Sequence, residues 1–204
     1  MDISALEYRN RNHLEDIDEQ MALLVQRVSG SYYEDYYFPT VAGVGYSYSP
    51  YSPLPDMDKK AGMLRLVMGL GTKAVDRTQN DYPRIINLDK PKVVTMTSMA
   101  DRHRYSQHSL DVLDLKEVSV KEHPVSEGLE VLPRYAKNEV VEHDTEIEER
   151  YKEQGNPREV VFVSCQGMVN NKEFTNMMQN ILKTLGYISD VSGLTKQYDF
   201  PSNW

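Results

Sequence analysis

The alternation of apolar and polar residues predicts a series of short strands in the first half of the chain. Residues 41–50 alternate as a strand does and end in proline turns, and residues 63–68 form an apolar run that carries one charge, Arg65. Two further strands are predicted at 84–88 and 93–96, separated by a short Asp-Lys-Pro break. These patterns favour an α+β protein with a mixed or mainly antiparallel sheet.

A second period, of three and four residues, predicts an amphipathic helix near the end of the chain, capped by Asn170 and Asn171. Its apolar face comprises Phe174, Met177, Met178, Ile181, Leu182 and Leu185. Residues 4–18 predict a helix with one buried edge. Residues 21–28 are too apolar for a surface helix, and we interpret them as a buried strand, although their periodicity also allows the end of the preceding helix.

The second half of the chain predicts short strands separated by turns, at 114–120, 129–132 and 139–142. Residues 139–153 hold seven acidic side chains and two basic ones, which is typical of a solvated helix face rather than a metal site. Residues 159–165 contain an uninterrupted run of valine and phenylalanine at 160–163. We predict that this run is a central strand.

Composition narrows the classes of protein that the chain can belong to. The 204 residues carry a net charge of −8, which argues against broad binding of nucleic acid or of an anionic membrane. No apolar run approaches the roughly 20 residues of a membrane span, and the N-terminus has no signal-peptide pattern. The single cysteine, Cys165, lies in an apolar run and is predicted to be a buried, inert thiol. A cytoplasmic protein is therefore expected, and a homo-oligomer is a further expectation.

A glycine-rich corner follows the predicted strand at 63–68 and is the main candidate for chemistry. Gly69 and Gly71 permit a tight turn or a close approach to a ligand. A hydroxyl, two cations and an anion come directly behind them: Thr72, Lys73, Asp76 and Arg77. A strand, a glycine turn and clustered charge are typical of a phosphate site. The alternative is a hairpin corner whose charges are solvated.

Tyrosines and histidines are weaker candidates for functional residues. Residues 31–55 hold seven of the fourteen tyrosines, which indicates either a stacking surface for a base or sugar, or half-buried strands with wet hydroxyls. His103 lies in a charged cluster at 101–104 with no acid at a useful spacing, so we expect a solvated turn. The histidines and Cys165 make no metal-ligand spacing, and we predict no zinc site.

Three short motifs, in this order, resemble the ATP-grasp nucleotide-binding domain of the phosphoenolpyruvate synthase and pyruvate phosphate dikinase group. They are Leu-Val-Gln-Arg-Val at 24–28, Ala-Gly-Val-Gly-Tyr-Ser at 42–47, and Gly-Leu-Gly at 69–71 with Ala-Val behind it. The likeness is strongest over 19–91 and is seen again in 161–185. It implies one partial ATP-grasp-like domain over 1–204, the C-terminal part of such a domain. The core motifs lie at 19–91 and the remaining elements at 92–204, with helices packed on one face of the sheet.

The resemblance also implies ligands and site residues. ATP would be the nucleotide, Mg²⁺ its metal, and Asp76 the nearest available metal ligand. The residues implied for the nucleotide are Gln26, Val28, Ser47, Arg65, Gly69, Gly71, Thr72, Lys73 and Arg77. Family members carry a glutamate directly after Gly-Leu-Gly, where this chain has Thr72.

The implied activity is that of a phosphotransferase, in which ATP phosphorylates an enzyme histidine and the phosphoryl group then passes to pyruvate. The family's closing Asp-x-Glu strand is not found in 187–204, so we expect a fragment that is inactive alone and that works with the remaining domains of a parent enzyme. One alternative is a non-catalytic ATP-grasp-like module for interaction or regulation. Another is a plain structural domain.

Overall fold

The computed structural model describes residues 3–14, 16–17, 22–23, 25, 27–51, 53–75 and 81–185, with the backbone of 194–198. Its helices are α1 (Ile3–Arg11), α2 (Thr72–Val75), α3 (Met99–Arg104), α4 (Val125–Val131), α5 (Arg134–Val140), α6 (Thr145–Glu153), α7 (Gln166–Asn170) and α8 (Lys172–Thr184). Its strands are β1 (Ser31–Tyr33), β2 (Tyr36–Phe38), β3 (Val41–Tyr46), β4 (Met63–Val67), β5 (Arg84–Asn87), β6 (Ser109–Asp114), β7 (Ser119–Pro124), β8 (Val141–His143), β9 (Val161–Val163) and β10 (Leu194–Tyr198).

The strands form antiparallel sheets, so the predicted α+β class is confirmed. One sheet has the order β10-β3-β4-β5, a second has the order β1-β2-β6-β7, and β8 pairs with β9 in a short two-stranded sheet. Every strand pair in these three sheets is antiparallel. In the described part of the chain, no helix is long and apolar enough to cross a membrane.

The side chains of β4 point alternately to the two faces of its sheet, and this alternation determines the face on which Arg65 lies. Leu64 and Leu66 belong to the main core with residues of α8, whereas Val67 joins a smaller cluster with Ala74 of α2. Because successive side chains of a strand point to opposite faces, Arg65 shares the face of Val67. The strand therefore places one cation on the side of the sheet that α8 does not cover.

Helix α8 confirms the predicted amphipathic helix. The side chain of Asn171 accepts hydrogen bonds from the amides of Glu173 and Phe174, as an N-cap should. Phe174, Met178 and Leu182 are buried in the main core, and each such side chain contributes roughly 1.5–3 kcal/mol to folding. The buried stripe is narrower than predicted because two of its expected members, Met177 and Leu185, remain exposed.

Several predictions in the N-terminal part of the chain are wrong. Helix α1 forms, but none of its residues is buried. The described residues within 21–28 belong to no strand, and Leu23 and Val25 are 86% and 91% exposed. Apolar character alone does not create a strand, since a strand needs a neighbour that supplies hydrogen bonds and a face that it can cover.

Five predictions in the later part of the chain also need correction. Residues 93–96 form a loop rather than a strand, and 114–120 span the turn between β6 and β7. Residues 129–132 belong mostly to α4, and 139–142 run from the end of α5 into β8. The run at 159–165 contains β9, whose pairing partners among the described residues are β8 and a single bridge at Gln107, so it is no central strand. Short apolar runs fit either secondary structure, and packing decides between them.

The turn between β6 and β7 holds a strained valine, from which a prediction about stability follows. Val118 has a φ of 51° and is 81% exposed. A β-branched side chain rarely adopts this left-handed conformation, which costs about 1–2 kcal/mol relative to an ordinary backbone. We expect Val118→Gly to raise the free energy of unfolding by about 1 kcal/mol in chemical denaturation.

The matched control for Val118 is Val120, which is also exposed but lies in extended β7. Val120→Gly should lower stability by roughly 0.5–1 kcal/mol, because glycine weakens a strand. Equal effects at the two positions would contradict the strain at Val118.

Candidate functional site

The Gly-Leu-Gly corner behind β4 is fastened to strand β6. Gly69 has a φ of 87°, and a Cβ added to it would lie 2.8 Å from the carbonyl oxygen of Asp111. The amide of Leu70 donates to that same carbonyl oxygen at 2.8 Å. Just before the corner, the side chain of Gln107 bonds both the amide and the carbonyl of Met68, at 2.7 and 2.8 Å. The corner thus needs glycine because it touches a neighbouring strand.

Lys73, the cation expected to face phosphate, is turned toward carboxylates. Its side chain is 6% exposed, and its Nζ lies 2.6 Å from an oxygen of Glu122 and 3.8 Å from an oxygen of Asp81. Burial lowers the pKa of Lys73, but the hydrogen bond to Glu122 and the charges of Asp111 and Asp81 outweigh it and raise that pKa overall. The neighbouring Thr72 hydroxyl donates to the carboxylate of Asp111.

The other implied residues are scattered. Val28 is exposed, and its carbonyl accepts a hydrogen bond from Tyr37 at 2.9 Å, while Ser47 is half-buried just after β3. Gln26, Asp76 and Arg77 lie outside the described residues.

A cavity of about 410 Å³ opens beside β4 and β5, within the range of small-ligand sites. We call it the arginine cleft. Its lining residues are Arg65, Asp81, Tyr82, Pro83, Arg84, Ile85, Val94, Thr95, Met96, Arg102, Tyr105, Ser106, Phe162, Val163 and Ser164. Among the implied nucleotide-binding residues that the structure describes, Arg65 is the one that lines this cleft.

Three arginines from different elements line the cleft. Arg65 comes from β4, Arg84 from the start of β5, and Arg102 from α3. The Nε atoms of Arg65 and Arg84 are buried and have no hydrogen-bond acceptor among the described residues. Burial lowers the pKa of the Arg84 guanidinium, and the nearby charge of Arg102 lowers it further. Buried donors without acceptors are costly, so these two side chains are suited to an anionic ligand.

Arg102 and its neighbour His103 are held by two acids that lie close together in the chain. Arg102 donates to the carboxylate of Glu142, and His103 Nδ1 lies 2.8 Å from Asp144 Oδ2. Asp144 is fully buried and also caps α6 by accepting from the amide of Ile147. The expected solvated turn at His103 is therefore wrong, because the paired acid comes from a distant segment that local spacing could not reveal.

Aromatic rings form the remaining wall of the arginine cleft. Tyr82 and Tyr105 meet edge to face with their centroids 5.3 Å apart. Phe162 lines the cleft and stacks on the ring of His103, at 5.2 Å and 17° between planes. None of the tyrosines in 31–55 lines this cleft, so the tyrosine-rich segment supplies no stacking surface there.

Metal-ligating side chains are not clustered in the part of the chain that the structure describes. Across 3–14, 27–51, 53–75, 81–185 and the shorter described pieces, no three histidine, cysteine or acidic residues are grouped as ligands. The carboxylates near the corner already accept hydrogen bonds, Asp81 from the amides of His108 and Ser109, and Glu122 from Lys73.

Cys165 matches its prediction as a buried thiol. It is fully buried, and burial raises its pKa to about 12. A thiol with that pKa stays protonated at neutral pH and is a poor nucleophile.

Arg84 and Arg102 are the functional candidates that sequence reasoning missed. The charged cluster at 101–104 was the one local sign of Arg102 in the sequence. The cleft itself is assembled from residues that are distant in the chain.

Comparison with known proteins supplies one match. The family model for the pyruvate phosphate dikinase AMP/ATP-binding domain matches residues 1–178. Searches of curated proteins and of solved structures return no match.

Proposed function

The chain belongs to the pyruvate phosphate dikinase AMP/ATP-binding domain family, and from that premise we propose that it binds an adenine nucleotide in the arginine cleft. The observation that carries the proposal is the pair of buried Nε atoms, on Arg65 and Arg84, that lack an acceptor among the described residues. The phosphate oxygens of a nucleotide would supply acceptors for both.

Guanidinium groups are well suited to binding the phosphates of a nucleotide. Arginine presents its donors in a rigid planar fork that matches phosphate oxygens bidentately, and it stays charged even where burial lowers its pKa. Arg102 adds a third donor group, although part of its charge is offset by Glu142. Phosphoryl-transfer sites ask the protein mainly for positioning and positive charge around the phosphates.

The aromatic wall gives the base a place to lie. Tyr82 and Tyr105 expose ring surface in the same cleft as the arginines, whereas Phe162 is almost fully buried in its wall. Ring faces stack with nucleobases, and each such contact contributes roughly 1–3 kcal/mol in proteins that bind single-stranded nucleic acid. The phosphates would then lie toward Arg65 and Arg84, with the base toward the tyrosines.

At the level of the whole reaction, the proposal is a phosphoenolpyruvate synthase-like phosphotransferase of the cytoplasm, with an ATP-grasp arrangement. ATP would phosphorylate a histidine on another domain of the parent enzyme, and pyruvate would receive the phosphoryl group. The domain assignment of 1–204 and the magnesium ligand Asp76 remain predictions that belong to this proposal. Phosphate contacts by Lys73 and Arg77, which the resemblance implies, are the competing arrangement.

One observation favours a non-catalytic, regulatory or interaction module instead. Thr72 stands where the resemblance leads us to expect a glutamate, and its hydroxyl is already engaged by Asp111. A domain that retained nucleotide binding without that acid could act as a sensor of nucleotide rather than as a kinase.

Calorimetric titration of the chain with ATP, ADP, AMP and adenosine, each with and without magnesium, tests nucleotide binding. We expect the affinity to fall in that order, because each lost phosphate removes acceptors for the arginines, and we expect added salt to weaken ATP most. Adenosine binding as tightly as ATP would contradict the phosphate assignment. No heat with any ligand, together with no thermal shift, would contradict nucleotide binding and favour a non-catalytic interaction module or a plain structural domain.

A further inference from the structure

A second cavity, of about 390 Å³, lies between α8 and the loop that follows β5, and no residue lines both it and the arginine cleft. We call it the lysine groove. It is lined by Leu88, Asp89, Lys90, Pro91, Lys92, Val93, Val169, Lys172, Thr175, Asn176 and Gln179. Consecutive residues line the two cavities, since Val93 lines the groove and Val94 lines the cleft.

Three lysines make the groove basic on a chain whose net charge is −8. Lys90 lies 2.5 Å from Asp56, a largely exposed carboxylate outside the groove. Lys92 and Lys172 are exposed, and within the described residues neither has an acidic side chain at salt-bridge distance. The acid in the lining, Asp89, accepts a hydrogen bond from the amide of Asp58 at 3.1 Å.

The walls of the groove are fixed at its inner end. The side chain of Gln179 donates to the carbonyl of Leu88 at 2.5 Å, and the amide of Leu88 donates to Gly62 at 2.9 Å. These bonds join α8 to the end of β5, so the separation of the two lysine-bearing walls does not depend on a ligand.

We propose that the lysine groove docks an acidic peptide segment of a partner protein. Single exposed lysines bind anions weakly, so the ligand has to carry several negative charges spread along the groove. A compact phosphate is less well suited, because the lining has no arginine fork and retains the carboxylate of Asp89. The side-chain amide of Asn176 and the apolar surface of Pro91 and Val93 match a peptide better.

The test is fluorescence anisotropy of a labelled hexaglutamate peptide with the full chain at low ionic strength, and hexaglutamine as the uncharged control. Lys92→Glu with Lys172→Glu should weaken hexaglutamate binding at least about tenfold. The matched control, Lys152→Glu with Lys183→Glu, changes the net charge equally at exposed lysines that line neither cavity, and it should retain most of the affinity.

Three results would overturn the proposal. If both double variants lose the same affinity for hexaglutamate, the peptide responds only to the net charge of the chain. Loss of hexaglutamate binding in Arg84→Lys would place the peptide in the arginine cleft. Binding of tripolyphosphate that is tighter than that of the peptide and depends on Lys92 and Lys172 would make the groove a small-anion site. Thermal unfolding of each variant verifies that it is folded.

Discussion

Replacing Arg65 and Arg84 together with lysine is expected to weaken ATP binding about a hundredfold, since each hydrogen bond to a charged group contributes roughly 1.5–3 kcal/mol. Lysine keeps the positive charge but loses the planar fork and the Nε donor that is buried at both positions. The measurement is the dissociation constant for ATP from calorimetry. The loss for adenosine should be much smaller, because adenosine offers the arginines no phosphate.

The control for that experiment is Arg134→Lys with Arg150→Lys, at two exposed arginines outside the arginine cleft. We expect this variant to bind ATP as the unchanged chain does. If the two double variants lose affinity equally, the phosphates do not depend on Arg65 and Arg84.

Replacing Lys73 with methionine is expected to lower the free energy of unfolding by about 2 kcal/mol, because it leaves the carboxylate of Asp81 buried without its cation. Breaking a fully buried pair costs about 3–5 kcal/mol, and we place this loss lower because the partner Glu122 is 61% exposed and stays hydrated. Lys116→Met is the control, since Lys116 pairs with Asp35 at the surface, and its loss should cost less than about 1 kcal/mol.

The pH dependence of the Lys73 effect follows from two pKa shifts. The hydrogen bond from Lys73 lowers the pKa of Glu122 from its ordinary 4.5, so that contribution is present above this value and is lost as the pH falls through the lowered pKa. The pKa of Lys73 is raised from its ordinary 10.5, so the stability that Lys73 contributes is fully present below pH 10.5. That stability is lost as the pH rises through the folded-state pKa. The stability difference between the unchanged chain and Lys73→Met should therefore be largest in the window between these limits.

The same variant separates two roles for the Gly-Leu-Gly corner. If Lys73 only fastens the corner to β7, Lys73→Met will lose stability and keep its affinity for ATP at a temperature where it is folded. If Lys73 contacts phosphate, as the sequence predicts, the variant will lose affinity for ATP as well.

The sequence predicted those parts of the fold whose signals are local. The capped helix α8, the strands β3 and β4 and the glycine turn each carry their pattern within a short segment, and the structure confirms all of them. The apolar residues at 21–28 and 93–96 carried a similar signal, yet their described residues form no strand. Whether an apolar run becomes a strand depends on what lies beside it, which no single segment encodes.

The candidate site was less predictable for the same reason. Arg65 was found because it interrupts an apolar strand, but Arg84 and Arg102 look like ordinary surface cations in the sequence. Asp144 lies 41 residues from His103, and Glu142 lies 40 residues from Arg102. Lys73 was predicted to contact phosphate, but it is paired with acids instead. Those acids come from β7 and from the segment before β5, so the charges near Lys73 in the sequence could not reveal them.

A crystal structure of the chain with a non-hydrolysable ATP analogue tests the central claim most directly. The account predicts phosphate oxygens within hydrogen-bond distance of the Arg65 and Arg84 guanidinium groups, with the base against Tyr82 or Tyr105. A nucleotide bound elsewhere, for example with its phosphates at the corner formed by residues 69–71 and both arginines unoccupied, would contradict it.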